Sequence, residues 1–187
     1  MKVTLGVSNR HVHLNQEDYD VLFGKEEMKL AKKLVQTNQY ASTLFVDIKT
    51  DKNIINHVRV IGPIRNYTQA EISKTDAYYL GITPPINDSG DLTDAALITI
   101  IGPVGSITKK VAIIATRHIH LSKKDVHDKN LEGVKEVTVK FLSEKPTIFC
   151  GVKLKVEEEG VWELHLDTDD ANGAFLKTGD IGIVEFK

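Results

Sequence analysis

A single cysteine, Cys150, is all the thiol this 187-residue chain contains. No intramolecular disulfide can form and no thiolate cluster exists to hold a metal, so a reducing, cytoplasmic setting fits. Any bound metal would have to rest on imidazole and carboxylate. Excess charge of one sign is also missing. The 24 Lys and Arg stand against 26 Asp and Glu, so no broad basic face for nucleic acid is implied. No apolar run approaches the roughly 20 residues of a membrane span. The N-terminus lacks the basic start and unbroken apolar stretch of a secretory signal. The length suits one ordinary domain or two small ones.

What the chain does have is a repeat. Ser8-Asn9-Arg10-His11-Val12-His13-Leu14 and Ala115-Thr116-Arg117-His118-Ile119-His120-Leu121 share Arg-His-apolar-His-Leu, and matching positions lie 107 residues apart (118 minus 11). Residues i and i+2 of a strand point to one face. Each pair therefore offers two imidazoles side by side, while Val12 or Ile119 turns into apolar packing. The ordinary reading of one strand histidine is a surface or hydrogen-bonded core residue. Two pairs in matching contexts point instead to two related halves, each giving part of a metal site.

The surrounding pattern repeats as well. Residues 2–8 alternate as a strand running into the first pair, and Asn15 or Ser122 after each pair is placed to cap a short helix. Leu44–Ile48, Val58–Ile61, Val134–Phe141, Thr147–Val156, Val161–Leu166 and Ile181–Phe186 read as strands, with Gly-Pro turns at 62–63 and 102–103. Ser73 opens a short helix that Gly81 closes, and a helical turn is expected at 169–175. Many short strands and few short helices predict a mainly β chain of two small β-barrel domains related by an internal pseudo-repeat. The boundary is placed at 108–110, giving halves 1–108 and 109–187. The N-terminal strand is allowed to cross between them.

A third histidine, His165, lies in Glu163-Leu164-His165-Leu166-Asp167, where Glu163, His165 and Asp167 share a face. Asp167 is read either as a carboxylate orienting an imidazole or, with Asp169, as a cap of the following helix. His57 and His127 sit in polar contexts and read as surface residues. Arg65 follows the rigid Gly62-Pro63 turn. Glu71 lies in Thr68-Gln69-Ala70-Glu71-Ile72-Ser73, either as part of a capping box with Thr68 or, as its β-branched flanks favour, in an extended segment.

The ordered set of Ser-Asn-Arg-His-Val-His-Leu, Gly-Pro-Ile-Arg, Thr-Gln-Ala-Glu-Ile-Ser, Thr-Asp-Ala, Asp-Ser-Gly-Asp, Ala-Thr-Arg-His-Ile-His and His-Leu-Asp-Thr-Asp-Asp-Ala-Asn resembles the PduL-type phosphate acyltransferases. These are the phosphotransacylases called phosphate propanoyltransferase in propanediol-degrading microcompartments. The likeness runs from about residue 3 to residue 186. It implies two β-barrel domains with a two-zinc site between them, though the ligand set also admits other divalent metals. The ligands it implies are His11, His13, Glu71, His118, His120 and His165, with Arg65 as the catalytically needed, phosphate-binding arginine. It favours a crossed division, Glu71 with His118 and His120, and His165 with His11 and His13. The simpler alternative gives Glu71 to the first pair. Asn87 stands where the family usually has an arginine, and residues 131–145 lack the usual Gly-rich turn.

The implied reaction interconverts acetyl- or propanoyl-CoA plus phosphate with acyl phosphate plus CoA. Its partners are these small molecules, with neither nucleic acid nor membrane; homo-oligomerisation is left open. The competing readings are a two-metal hydrolase of phosphate esters or thioesters, and a non-catalytic module stabilised by zinc. Shell-targeted members carry an N-terminal extension, whereas strand alternation here begins at residue 3, so a free cytoplasmic enzyme is expected.

Overall fold

A computed structural model describes residues 1–186. In chain order the elements are β1 (Lys2–Ser8), β2 (His11–His13), α1 (Gln16–Phe23), β3 (Leu30–Lys33), β4 (Tyr40–Lys49), β5 (Ile54–Gly62), β6 (Gln69–Glu71), α2 (Lys74–Leu80), β7 (Ile86–Asn87), β8 (Ala96–Ile101), β9 (Ser106–Ala115), β10 (His118–Ser122), α3 (Lys123–Asp128), β11 (Glu136–Phe141), β12 (Thr147–Glu157), β13 (Glu163–Asp167), α4 (Thr168–Gly173) and β14 (Ile181–Glu185). None of these helices is long and apolar enough to cross a membrane.

The chain forms two compact units. One is Arg10–Ala115; the other joins Met1–Asn9 to the segment from Thr116 onward. In the first, β4, β5, β2, β6, β9 and β8 pair in turn and β8 returns to β4, closing a six-stranded barrel. Strand β3 adds to β4 and β7 to β9. Alternate residues Leu44, Val46 and Ile48 of β4, with Val58 and Val60 of β5, fill its core around Val12.

The second unit is also a closed barrel, ordered β1-β13-β10-β12-β11-β14. Val3 and Leu5 of β1 pack with Ile119, Val139, Phe141, Val152, Leu164 and Val184. The pairings of the two rings correspond strand for strand. The histidine strand is parallel to one neighbour (β2 to β5, β10 to β12) and antiparallel to the other (β2 to β6, β10 to β13). That second neighbour is in turn parallel to β9 or β1. So β1, which leads into the His11 strand, closes the barrel that holds His118. Conversely β9, which leads into the His118 strand, belongs to the barrel that holds His11.

The expected boundary at 108–110 falls inside β9, and the chain changes unit at Asn9/Arg10 and Ala115/Thr116. The polar Thr-Lys-Lys step does not interrupt the strand. Thr108 and Lys110 face solvent, while Lys109 sets its ammonium 2.5 Å from the buried Asp18 carboxylate. The fragment at 68–71 is extended, as its β-branched flanks suggest, and Ser73 caps α2 in a capping box with Asp76.

Because Leu5 is fully buried where β1 closes its barrel, Leu5→Ala is expected to cost about 2–5 kcal/mol. Urea unfolding followed by Trp162 fluorescence measures it. The Trp162 indole donates to the Lys2 carbonyl at 2.8 Å and so reports on β1. A change below 1 kcal/mol would show that the closing strand contributes little.

Candidate metal centres

Pairing on β2 and β10 sets the functional side chains. Register places His11 opposite Glu71 and His13 opposite Gln69. In the other unit it places His118 opposite His165 and His120 opposite Glu163. Directly opposed residues of an antiparallel pair share a face. Two groups result, His11/His13/Glu71 and His118/His120/His165, each with one ligand atom per residue within 4.8 Å of the others. The six residues expected as ligands are thus gathered three and three. The division is the uncrossed one, with Glu71 beside His11 and His13 and with His165 beside His118 and His120. The reason is local: each third residue stands on the strand hydrogen-bonded to its histidine pair.

The donor chemistry tests whether these groups suit a cation. His118 Nδ1 lies 2.8 Å from the Thr116 carbonyl, and His120 Nδ1 2.8 Å from Glu157 Oε2. A carbonyl or an ionised carboxylate can only accept, so both Nδ1 atoms carry the proton and both Nε2 atoms expose a lone pair. Those two Nε2 atoms are 3.0 Å apart. Two lone pairs at that separation repel, and a cation between them removes the repulsion. His13 follows the same rule, its Nδ1 donating to the Ile61 carbonyl at 3.3 Å and its Nε2 lying 3.1 Å from His11 Nε2. Glu71 Oε2 is 3.6 Å from His11 Nε2. Outward protons and inward lone pairs are how metal-bound histidines are held. The residues fit a divalent cation of the zinc class, at three N/O ligands each.

Burial disfavours the charged form of three of these rings, His13, His118 and His120. It pushes the pKa of His118 down to about 3, with the neighbouring His165 and His120 adding to the effect. Burial also lowers His13 well below the usual imidazole value, reinforced by His11 and by the charge of Arg65. His120 is lowered by burial, which outweighs the opposing pull of Glu157. Glu157, accepting from His120, is held down at about 2 and stays anionic.

Arg65 belongs to the His11 unit, and its guanidinium is close enough to oppose protonation of His13. Nη1 donates to Tyr67 Oη at 2.6 Å and Nη2 to Gln39 Oε1 at 3.4 Å, while its backbone N–H bonds the Leu14 carbonyl. Gly62 lets the Tyr40 ring lie against the turn before Arg65, since a Cβ there would stand 2.4 Å from Cζ of Tyr40.

With this geometry in view, comparisons with known proteins are decisive. The chain matches the family profile "Phosphate propanoyltransferase" over residues 4–177. It is 48% identical to a phosphate propanoyltransferase of Thermotoga maritima, covering 98% of this chain and 90% of that protein. It is 41% identical to one of Rhodopseudomonas palustris (96% and 80% covered) and 38% identical to one of Levilactobacillus brevis (97% and 88%). The chain belongs to the phosphate propanoyltransferase family. It is therefore a member of an acyltransferase family, and its own fold is a pair of six-stranded barrels.

Several residues around this family member's histidines were not singled out by sequence. Arg10, just before His11, grips Asp76 with Nε 2.9 Å from both carboxylate oxygens and Nη2 2.7 Å from Oδ1. Arg117, just before His118, grips Asp170 at 2.7 and 2.8 Å. Asp76 and Asp170 lie in the first turns of α2 and α4, which follow the ligand strands β6 and β13. Each pair thus ties a histidine strand to the strand that faces it. Gln69, fully buried, donates to Glu71 at 2.8 Å and to Ser89 Oγ at 3.0 Å, and accepts from the Gly90 N–H at 2.7 Å. It links the Asp-Ser-Gly-Asp loop to a candidate ligand. The sequence hinted at them through the 107-residue offset of the two arginines and through the motifs that contain Gln69, Asp76 and Asp170, but no contact between them was legible.

The expectation for Asp167 divides one way: it caps α4, accepting from the Asp170 N–H at 2.8 Å. In the His118/His120/His165 group the carboxylates next to imidazoles are Glu157 and Glu163, the latter 2.9 Å from His165 Nε2. Asn87 donates Nδ2 to the Asp91 and Thr93 carbonyls at 3.1 and 2.8 Å and braces the following loop. His57 is exposed and stacks on Phe45, and His127 is 85% exposed; neither belongs to a group.

A histidine whose folded pKa is depressed leaves the unfolded chain binding more protons between the two values. Stability then rises with pH across that window. For His118 the window runs from about 3 to 6.5. With metal chelated, lowering the pH from 7 to 5 is expected to remove about 1–2 kcal/mol through this residue. Urea midpoints of wild type and His118→Asn at both pH values check it. Equal pH slopes would contradict the buried neutral imidazole.

Proposed function

We propose that this protein is a phosphate acyltransferase that interconverts a short-chain acyl-CoA, acetyl- or propanoyl-CoA, and phosphate with acyl phosphate and CoA. The two histidine groups are its metal sites, with His11, His13 and Glu71 holding one ion and His118, His120 and His165 the other. The observation carrying this reading is the pair of three-residue groups with converging nitrogens in a chain of the phosphate propanoyltransferase family. Three ligands per site match open, catalytic zinc rather than closed structural zinc. CoA is the second substrate, and a cytoplasmic location suits a reaction that needs CoA as free thiol.

The reaction is electrostatically difficult. Phosphate and the CoA thiolate are both anions that must meet one carbonyl carbon. In the forward direction a phosphate oxygen bonds to that carbon, the C–S bond breaks with its electron pair going to sulfur, and acyl phosphate and CoA leave. When bound, two divalent cations supply positive charge and Lewis acidity toward thiolate sulfur, phosphate oxygen and the carbonyl oxyanion.

The chain's own residues do the rest. Neutral imidazoles hold the cations without cancelling their charge. Thr116, Ile61 and Glu157 keep the ring protons on the outer nitrogens, so the inner ones stay free to ligate. Gln69 fixes the Glu71 carboxylate. Arg65, steadied by Tyr67 and Gln39, offers a planar fork to phosphate oxygens and adds positive charge where the oxyanion develops.

Arg65→Ala is expected to keep both metals and the fold but to lose about 100-fold or more in turnover. A near-wild-type rate at saturating phosphate would remove Arg65 from the mechanism. His118→Ala should lower bound zinc by about one equivalent per chain, with elemental analysis as the check; unchanged content would exclude it as a ligand. Thiol release from acetyl-CoA and propanoyl-CoA, with and without phosphate, tests the reaction itself. CoA should appear only when phosphate is present, and release without phosphate would mean thioester hydrolysis instead.

A further inference from the structure

The two barrels share a register that compares their metal groups residue by residue. On β6 the side chains facing the histidine pair are Gln69 and Glu71; on β13 they are Glu163 and His165. Each facing strand therefore carries one carboxylate, but at opposite positions: Glu71 sits across from the first histidine of its pair, Glu163 across from the second. Glu163 is only 5% exposed, and its Oε2 is 2.9 Å from His165 Nε2. Burying an acid this deeply is costly unless positive charge or a hydrogen bond compensates.

The neighbouring strand is adapted to it. On β1, Gly6 lies opposite His165, whereas the matching position opposite Glu71 on β9 is Ile113. A Cβ on Gly6 would come within 3.0 Å of Glu163 Cδ and Oε1 and 3.2 Å of His165 Cδ2. Glycine thus leaves the space that the Glu163–His165 pair occupies, whereas the other barrel, with Gln69 in the corresponding place, has an isoleucine at the matching register position.

Building on the metal-site reading above, we propose that Glu163 is the positioning carboxylate of the His118/His120/His165 site. It fixes the His165 ring and supplies the negative charge that Glu71 supplies to the other site. Each ion then faces one carboxylate from its facing strand, and the two sites hold divalent cations with comparable charge balance despite different ligand sets. Glu157 acts separately, on the outer nitrogen of His120.

The test is a zinc titration of metal-free protein against a competing chelating dye, on wild type, Glu163→Gln and Gly6→Ala. Wild type should take up two equivalents. In Glu163→Gln, which keeps the shape and removes the charge, one equivalent should bind about 10–100-fold more weakly while the other keeps its wild-type affinity. Gly6→Ala, which crowds the carboxylate without changing its charge, should weaken one equivalent in the same way. Trp162 fluorescence on the same samples shows whether the barrel is intact. Wild-type affinity at both sites in Glu163→Gln would overturn the role of Glu163 and leave the metal sites standing. Fewer than two equivalents in wild type would overturn both.

Discussion

The structure turns on two imidazole nitrogens held 3.0 Å apart with their lone pairs toward each other. Left alone, that arrangement is repulsive. It is maintained by everything around it: Nδ1 protons committed to fixed acceptors, the intervening Ile119 anchored in the core on the opposite face of the strand, and β13 and β12 on either side of it. The first barrel repeats the device with His13 bonded to the Ile61 carbonyl and Val12 fully buried. Burial keeps the rings neutral, and neutrality leaves the lone pairs available. A core built only for stability would not place unprotonated nitrogens against each other.

Each histidine strand begins where the chain passes from one unit to the other. The strand ahead of each histidine pair is hydrogen-bonded into the other pair's barrel, so each pair begins where the chain leaves one barrel for the other. The arginine at that crossing, Arg10 or Arg117, is tied to the first turn of the helix after the facing strand. Side chains joined to two fixed elements lose little further freedom when they take up a ligand, which is the physical content of preorganisation.

Much of this was legible in the chain. Period-two alternation identified most strands, and the recurrence of Arg-His-apolar-His-Leu exposed both the repeat and four candidate ligands. The caps Asn15, Ser73 and Ser122 followed from residue type. What misled was local polarity. Lys109 and Lys110 looked like a linker because the ion pair that absorbs Lys109 lies 91 residues away, at Asp18. The grouping of Glu71 and His165 was likewise hidden, since strand adjacency between distant segments leaves no trace in either. Alternation placed Glu163 on one face with His165, but only register placed Gln69 and Glu163 across from His13 and His120.

The sequence by itself determined the chemical inventory: imidazoles in i, i+2 pairs, one arginine after a Gly-Pro turn, almost no thiol, and an alternation that only strands satisfy. It did so because side-chain periodicity and residue type are local properties. Tertiary structure alone decided which three residues stand together, which nitrogen of His13, His118 and His120 faces the group, and which barrel the first strand completes. Those outcomes depend on hydrogen-bond partners and register between strands far apart in the chain, and no local pattern encodes them.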